Sequence, residues 1–154
     1  MAHYLEAKSR SLNLLDWLEG PAVAPTLRRV EELGRPVFGL PLRDADCSGE
    51  DFSGLMLADA EVTGVKFNAA NLTGALFSDT KLVGSNLNTA AMVMCTHEGT
   101  DFTNALLAQT SLFKLDLRNC LFTKVKGPRI VLTSSNLSGV NLEEVQMPCY
   151  PQNL

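Results

Sequence analysis

From Leu42 onward nearly every fifth position is apolar, and the frame runs to Met147. Only Cys47, His97 and Gly127 depart from Leu, Phe, Val or Met in this series. Two residues before each of these centres runs a second series that is mostly small, with Ala45, Ala60, Ala70, Ala75, Ala90, Cys95, Thr100, Ala105, Thr110, Cys120 and Ser135. A period of five fits neither the alternation of a strand nor the 3.6 spacing of a helix. It demands a chain that turns a corner every five residues. A unit that short cannot bury its own apolar residue, so stacked neighbours must bury it, as in a solenoid.

Four units make one square coil of twenty residues, and coils stacked about 4.8 Å apart pair their backbones. Gly49, Gly54, Gly64, Gly74, Gly84, Gly99 and Gly139 all stand two after a centre. That recurrence marks a corner with unusual backbone angles. Asp51, Asn71, Asn86, Asp101 and Asn141 stand just before a centre, where a short polar side chain can bond the local backbone. The Ser and Thr residues just after the centres are expected to face solvent.

Four units carry the pattern most plainly: Ala45-Asp46-Cys47-Ser48-Gly49, Ala70-Asn71-Leu72-Thr73-Gly74, Ser85-Asn86-Leu87-Asn88-Thr89 and Ser135-Asn136-Leu137-Ser138-Gly139. On these the chain resembles the pentapeptide-repeat family and its A(D/N)LXX consensus, over residues 40–147. The resemblance implies an all-β solenoid, a right-handed quadrilateral (pentapeptide-repeat) β-helix of about five coils, to which the flanking residues add an N-terminal α-helical cap.

The flanks lie outside the frame. In residues 1–39, Leu5, Leu12, Leu15 and Leu18 follow helical spacing up to Gly20-Pro21. A second run, Val23, Leu27, Val30 and Leu33, ends at Gly34, a C-cap residue. An open solenoid end exposes apolar core and unpaired backbone. Residues 1–39 therefore read as a two-helix cap or as a docking hairpin, and Trp17 suits either. Residues 148–154 form a short tail whose two prolines argue against a helix.

Stacking in twenties sorts the outward residues into columns. One face carries Ser53, Thr73, Val93, Phe113 and Thr133 just after its centres, with Met94 and Val131 beside them. Val93, Met94, Phe113 and Val131 form a candidate protein-contact patch, since clustered outward apolar side chains mark binding or oligomer surfaces. Lys114, Arg118, Lys124, Lys126 and Arg129 form a basic cluster with Asp116 as the one acid among them. Between Asp44 and Glu61 the balance reverses: Asp44, Asp46, Glu50, Asp51, Asp59 and Glu61 occur with no base. The rod is therefore expected to be electrically polar along its axis. The basic cluster is either a solvated face or a docking site for an acidic partner.

His97 occupies a core centre, between Phe77 and Leu117 in its column. It reads as a satisfied interior histidine or as one turned outward by a local irregularity. Pro128 after Gly127 removes a backbone donor, which predicts a bulge or loop there. The spacing of Cys47, Cys95, Cys120 and Cys149 matches no metal motif, and reduced structural thiols are expected.

Bulk properties narrow the function classes. The 154 residues are 45% hydrophobic and 19% charged, with a net charge of -4. That acidity is too mild to define a partner. No basic, apolar leader pattern opens the chain and no run of about 18 apolar residues occurs, so a cytoplasmic protein without membrane insertion is expected. With two histidines and no phosphate-cradling loop, nucleophile elbow or paired-cysteine motif, neither an enzyme nor a cofactor site is expected.

Two readings follow from the resemblance. The first is a bacterial-type scaffold, adaptor or effector that binds a protein partner through a face or through its cap, homodimerisation included. Direct nucleic-acid binding is not expected of it. The alternative is a DNA-mimicking modulator of DNA gyrase, of the quinolone-tolerance type. The missing C-terminal helix and the basic C-terminal coils depart from that group.

Overall fold

The computed structural model describes residues 41–147. The expected helices and Trp17 in 1–39, and the tail with Cys149, lie outside the described residues. Within them the chain winds as a four-sided parallel β-helix of five-residue units. β1 (Pro41–Arg43) pairs in parallel with β2 (Glu61–Thr63), twenty residues on. The same step recurs as single parallel bridges, such as Asp46 to Lys66, Asn71 to Ala91 and Lys126 to Gln146.

Four faces follow. The first is centred on Leu42, Val62, Leu82, Phe102, Phe122 and Leu142. The second has Cys47, Phe67, Leu87, Leu107, Gly127 and Met147. The third has Phe52, Leu72, Met92, Leu112 and Leu132, and the fourth Leu57, Phe77, His97, Leu117 and Leu137. From Leu42 to Phe122 these centres are buried, and they fill the axis of the rod. Each buried Leu or Phe contributes about 1.5–3 kcal/mol. At the far end Leu132 and Leu137 are half-buried, while Leu142 and Met147 are exposed.

Backbone bonding explains the five-residue grammar. The centre N–H donates to the next coil, as Phe67 does to Asn86 O at 2.7 Å. The residue before it donates to the previous coil, as Asn86 does to Val65 O at 2.9 Å. The corner residue two after the centre also donates to the next coil, as Gly74 does to Val93 O at 2.8 Å. The small residue two before the centre closes a turn, as Ala75 does to Leu72 O at 3.0 Å.

The N–H just after the centre takes no part in this ladder. Asp or Asn before the centre accepts it instead: Thr73 N donates to Asn71 Oδ1 at 3.1 Å and Thr103 N to Asp101 Oδ1 at 2.8 Å. Pro128 stands at that position. It removes a donor the ladder never uses, and the turn pattern runs through 126–130 without a bulge. The expected interruption is therefore absent. Gly127 is the constrained partner of the pair, because a Cβ there would lie 2.4 Å from Ala108 N.

Every corner position from Asp44 to Glu144 has positive φ, whether or not it is glycine. Non-glycine residues there, Thr89 (φ 58) and Met94 (φ 60) among them, sit in the left-handed region. Polar residues at the small position are satisfied across the stack. Thr100 Oγ1 donates to Phe77 O and Thr110 Oγ1 to Leu87 O, both at 2.7 Å. Cys95 and Cys120 make the equivalent contacts with Leu72 O and His97 O.

Candidate protein-contact face

The third face is the surface that the sequence singled out. On a flat β-helix face the residues flanking each centre point outward in register, twenty residues apart. Ala91, Ser111 and Val131 pair coil to coil along it, and Val93 and Phe113 stand one coil apart in the neighbouring column. Val93 is 53% exposed, Phe113 45% and Val131 40%, while Met94, on the adjoining corner, reaches 79%. All four expected patch residues thus lie on one face and its corner. Lys114 Nζ rests 5.0 Å from the centre of the Phe113 ring. In these three coils the face and its two corners, Thr89–Met94, Gln109–Lys114 and Arg129–Ser134, contain no acid and two bases, Lys114 and Arg129.

The basic cluster does not converge. Lys114 is at the corner between the third and fourth faces, and Arg118 is on the fourth face. Lys124 lies at the corner between the first and second faces, Lys126 on the second, and Arg129 at the corner between the second and third. Arg118 is engaged with Asp116 at 2.9 Å and with Glu98 at 3.3 Å, and Lys124 lies 3.7 Å from Glu144. Hydrogen bonding from Arg118 holds the Asp116 carboxyl below its usual range, and the same bond raises Arg118. Adjacency in sequence misled because five residues carry the chain round a quarter of the rod.

Charges elsewhere alternate up the columns. Glu61 pairs with Lys81 at 2.7 Å, and the bond to Lys81 lowers Glu61. Asp46 approaches Lys66 at 3.5 Å, with its own carboxyl held down chiefly by hydrogen bonds from Ser48. These pairs are solvent-exposed, so each contributes little to stability.

The interior offers no reactive group to a ligand. Cys47, Cys95 and Cys120 are buried and free. Burial pushes Cys47 and Cys120 up to about 12 and Cys95 to about 11. His97 is fully buried, and desolvation holds it down to about 3. Neither ring nitrogen has a hydrogen-bond partner, so it is interior as expected but not satisfied. Among the described residues no cluster of His, Cys, Asp or Glu could hold a metal ion, and no helix is long and apolar enough to cross a membrane.

Sequence reasoning missed one surface feature. A groove of about 310 Å³ lies on the second face, lined by Asn88, Leu106, Ala108, Lys126, Gly127, Pro128 and Gln146. Its signal was Gly127, where the series loses a side chain. Leu106 and Leu121 are exposed as well, but on the second and first faces. They do not extend the patch.

The sequence matches the family model for pentapeptide repeats, in eight copies, over residues 42–74. No curated protein matches it. Among solved structures the chain is similar to HetL, a pentapeptide repeat protein involved in heterocyst differentiation regulation from the cyanobacterium Nostoc sp. strain PCC 7120. That likeness has a TM-score of 0.55 at 20% identity and covers 74% of this chain but 49% of HetL, so the chain spans about half of HetL's length. Rfr23, a pentapeptide repeat protein from the cyanobacterium Cyanothece 51142, gives a TM-score of 0.40 at 17% identity, with 73% and 64% covered. QnrB1, a plasmid-mediated fluoroquinolone resistance protein, gives 0.43 at 19%, with 76% and 84% covered.

Proposed function

The chain belongs to the pentapeptide-repeat family, and from that premise we propose that it is a non-enzymatic protein–protein interaction module. It is a scaffold, adaptor or effector of the bacterial type that receives a protein partner on its third face. The winding is right-handed, the sense favoured for parallel β connections. The observation that carries the reading is the apolar patch of Val93, Met94, Phe113 and Val131 on a flat face whose last three coils carry no acid. Corner positions tolerate any polar residue, so an exposed methionine there is not a requirement of the fold. Clustered apolar exposure of this kind marks a contact surface.

Two further features support a binding rather than a chemical role. Side chains fill the axis, so the rod offers faces and an open surface groove instead of an interior cavity. Its one described histidine is buried and neutral, and its described thiols are inert at physiological pH. The DNA-mimic alternative needs a continuous acidic surface. Alternating columns such as Glu61–Lys81 and Asp46–Lys66 run against it.

The test is partner capture from native cell extract with the wild-type chain and with the Val93→Ser/Phe113→Ser double variant. Wild type should retain a specific protein that the variant loses, with both melting alike. Equal capture by the two would overturn the assignment. In a gyrase supercoiling assay, with or without a fluoroquinolone, the chain should have no effect at micromolar concentration.

A further inference from the structure

We infer that the third face takes a second copy of this chain, packed side by side and antiparallel. The inference rests on the reading of that face as a contact surface and names its occupant.

Bulk along the face is graded. The column just after the centres runs from Ser53 and Thr73 through Val93 to Phe113, and the corner column from Gly54 and Gly74 to Met94 and Lys114. Bulk peaks on the third and fourth coils, and Thr133 and Ser134 on the fifth are small again. A two-fold axis lying in the interface, perpendicular to the rod at the level of Val93, exchanges coils above and below it. Phe113 then lies on the partner's Thr73, and Lys114 on the partner's Gly74. A Cβ added at Gly74 would find only one atom within 4 Å, the Gly54 nitrogen at 4.0 Å, so that corner is open. Val93 and Met94 each meet their own counterpart at the axis. Such an interface is self-complementary, as a closed dimer requires.

Charge selects the same orientation. On this face and its corners the first coil carries Glu50 and Asp51 and no base, whereas the later coils carry Lys114 and Arg129 and no acid. These zones lie about three coils apart, roughly 15 Å at the inter-strand spacing. That exceeds the Debye length of about 8 Å at physiological salt, so the two fields are distinct. Antiparallel packing brings the acidic coil of one copy to the basic coils of the other. Parallel packing sets like on like.

The footprint sets the strength. Five coils and three extended residues per face span roughly 24 by 10 Å. This is well below the ~800 Å² that each partner buries in a standard interface. The dimer is therefore weak.

Sedimentation of the purified full chain between about 5 and 500 µM tests this. Wild type should pass from monomer to dimer, and Val93→Ser/Phe113→Ser should weaken association at least about tenfold, a change of ~1.4 kcal/mol. A rise in salt from about 0.05 to 0.5 M should also weaken it. Orientation is read by crosslinking in a Cys149→Ser background. An oxidised mixture of the Ser53→Cys and Thr133→Cys chains should give a disulfide heterodimer, and neither alone a homodimer. A chain monomeric at 500 µM, a dimer untouched by the double variant, or homodimers from Ser53→Cys alone would each overturn the inference. If the chain stays monomeric while the double variant still loses a different protein in the capture experiment, only the occupant is wrong. If neither readout responds, the contact face itself is wrong.

Discussion

The imidazole of His97 lies flat on the ring of Phe77, with centroids 5.1 Å apart and planes 5° from parallel. Phe102 lies 5.4 Å away with its ring tilted by 49°. The stack gives the histidine an aromatic place in the axis but leaves both nitrogens without hydrogen bonds. The ladder yields at this level. On the fourth face Leu76 pairs with Thr96 and Asp116 with Asn136, yet the intervening pairing of Thr96 with Asp116 is missing among the described residues. A polar ring has been admitted where a hydrocarbon packs elsewhere, at a gap in the coil-to-coil pairing.

Acid should unfold the protein through this ring. Folding lowers the His97 pKa from 6.5 to about 3, so the folded state refuses a proton that the unfolded chain accepts. The stability tied to neutral His97 is complete above pH 6.5 and is lost progressively as pH falls from there toward 3. Its slope approaches about 1.4 kcal/mol per pH unit. Urea unfolding at stepped pH measures it, and the His97→Leu variant should show a flatter profile over the same window.

At neutral pH, His97→Leu should raise stability by about 1–3 kcal/mol, because it removes two buried nitrogens that lack partners. Amide exchange at Asp116 should slow in the variant if the ring is what holds the ladder open. Unchanged exchange would assign the gap to another cause.

Gly127 and Pro128 should behave oppositely. Gly127→Ala places a Cβ 2.4 Å from Ala108 N and 2.7 Å from the Leu107 carbonyl carbon, which should cost about 2–3 kcal/mol. Pro128→Ala restores an N–H at a position the ladder does not use, so its midpoint in denaturant should move by less than about 1 kcal/mol. A larger effect at Pro128 than at Gly127 would contradict the bonding scheme.

Thr110→Val is a near-isosteric test of the cross-coil bond to Leu87 O. That carbonyl keeps its bond from Ala90 N. The expected loss is therefore only the net value of one hydrogen bond, about 0.5–1.5 kcal/mol by chemical denaturation.

Corner chemistry can be read in both directions. Thr89 is β-branched at φ 58, and Thr89→Gly should stabilise by about 0.5–1 kcal/mol, the left-handed strain outweighing the entropy of glycine. Gly99 already suits its corner, and a Cβ there would meet Asp79 Oδ1 at 2.2 Å. Gly99→Ala should destabilise, which thermal melts of the two variants would show as shifts of opposite sign.

Periodicity alone determined the frame, the inward column and the sorting of outward residues onto four faces. Each unit is local and identical in kind, so the sequence position of Phe113 is enough to place it beside Val93. The same arithmetic placed His97 in the axis and the three thiols Cys47, Cys95 and Cys120 inside. What it could not supply was the partner of each backbone group, which depends on neighbours twenty residues away. Only the coil-to-coil bonding showed that the N–H after each centre is spare, and so why Pro128 interrupts nothing. It also showed that Gly127 is required by the closeness of Ala108. The basic residues from Lys114 to Arg129 form a cluster in the sequence and a scatter around the rod, with Arg118 and Lys124 engaged by acids. Winding decides such proximity, because a chain that turns every five residues carries its sequence neighbours onto different faces and returns a residue to its own face only after twenty.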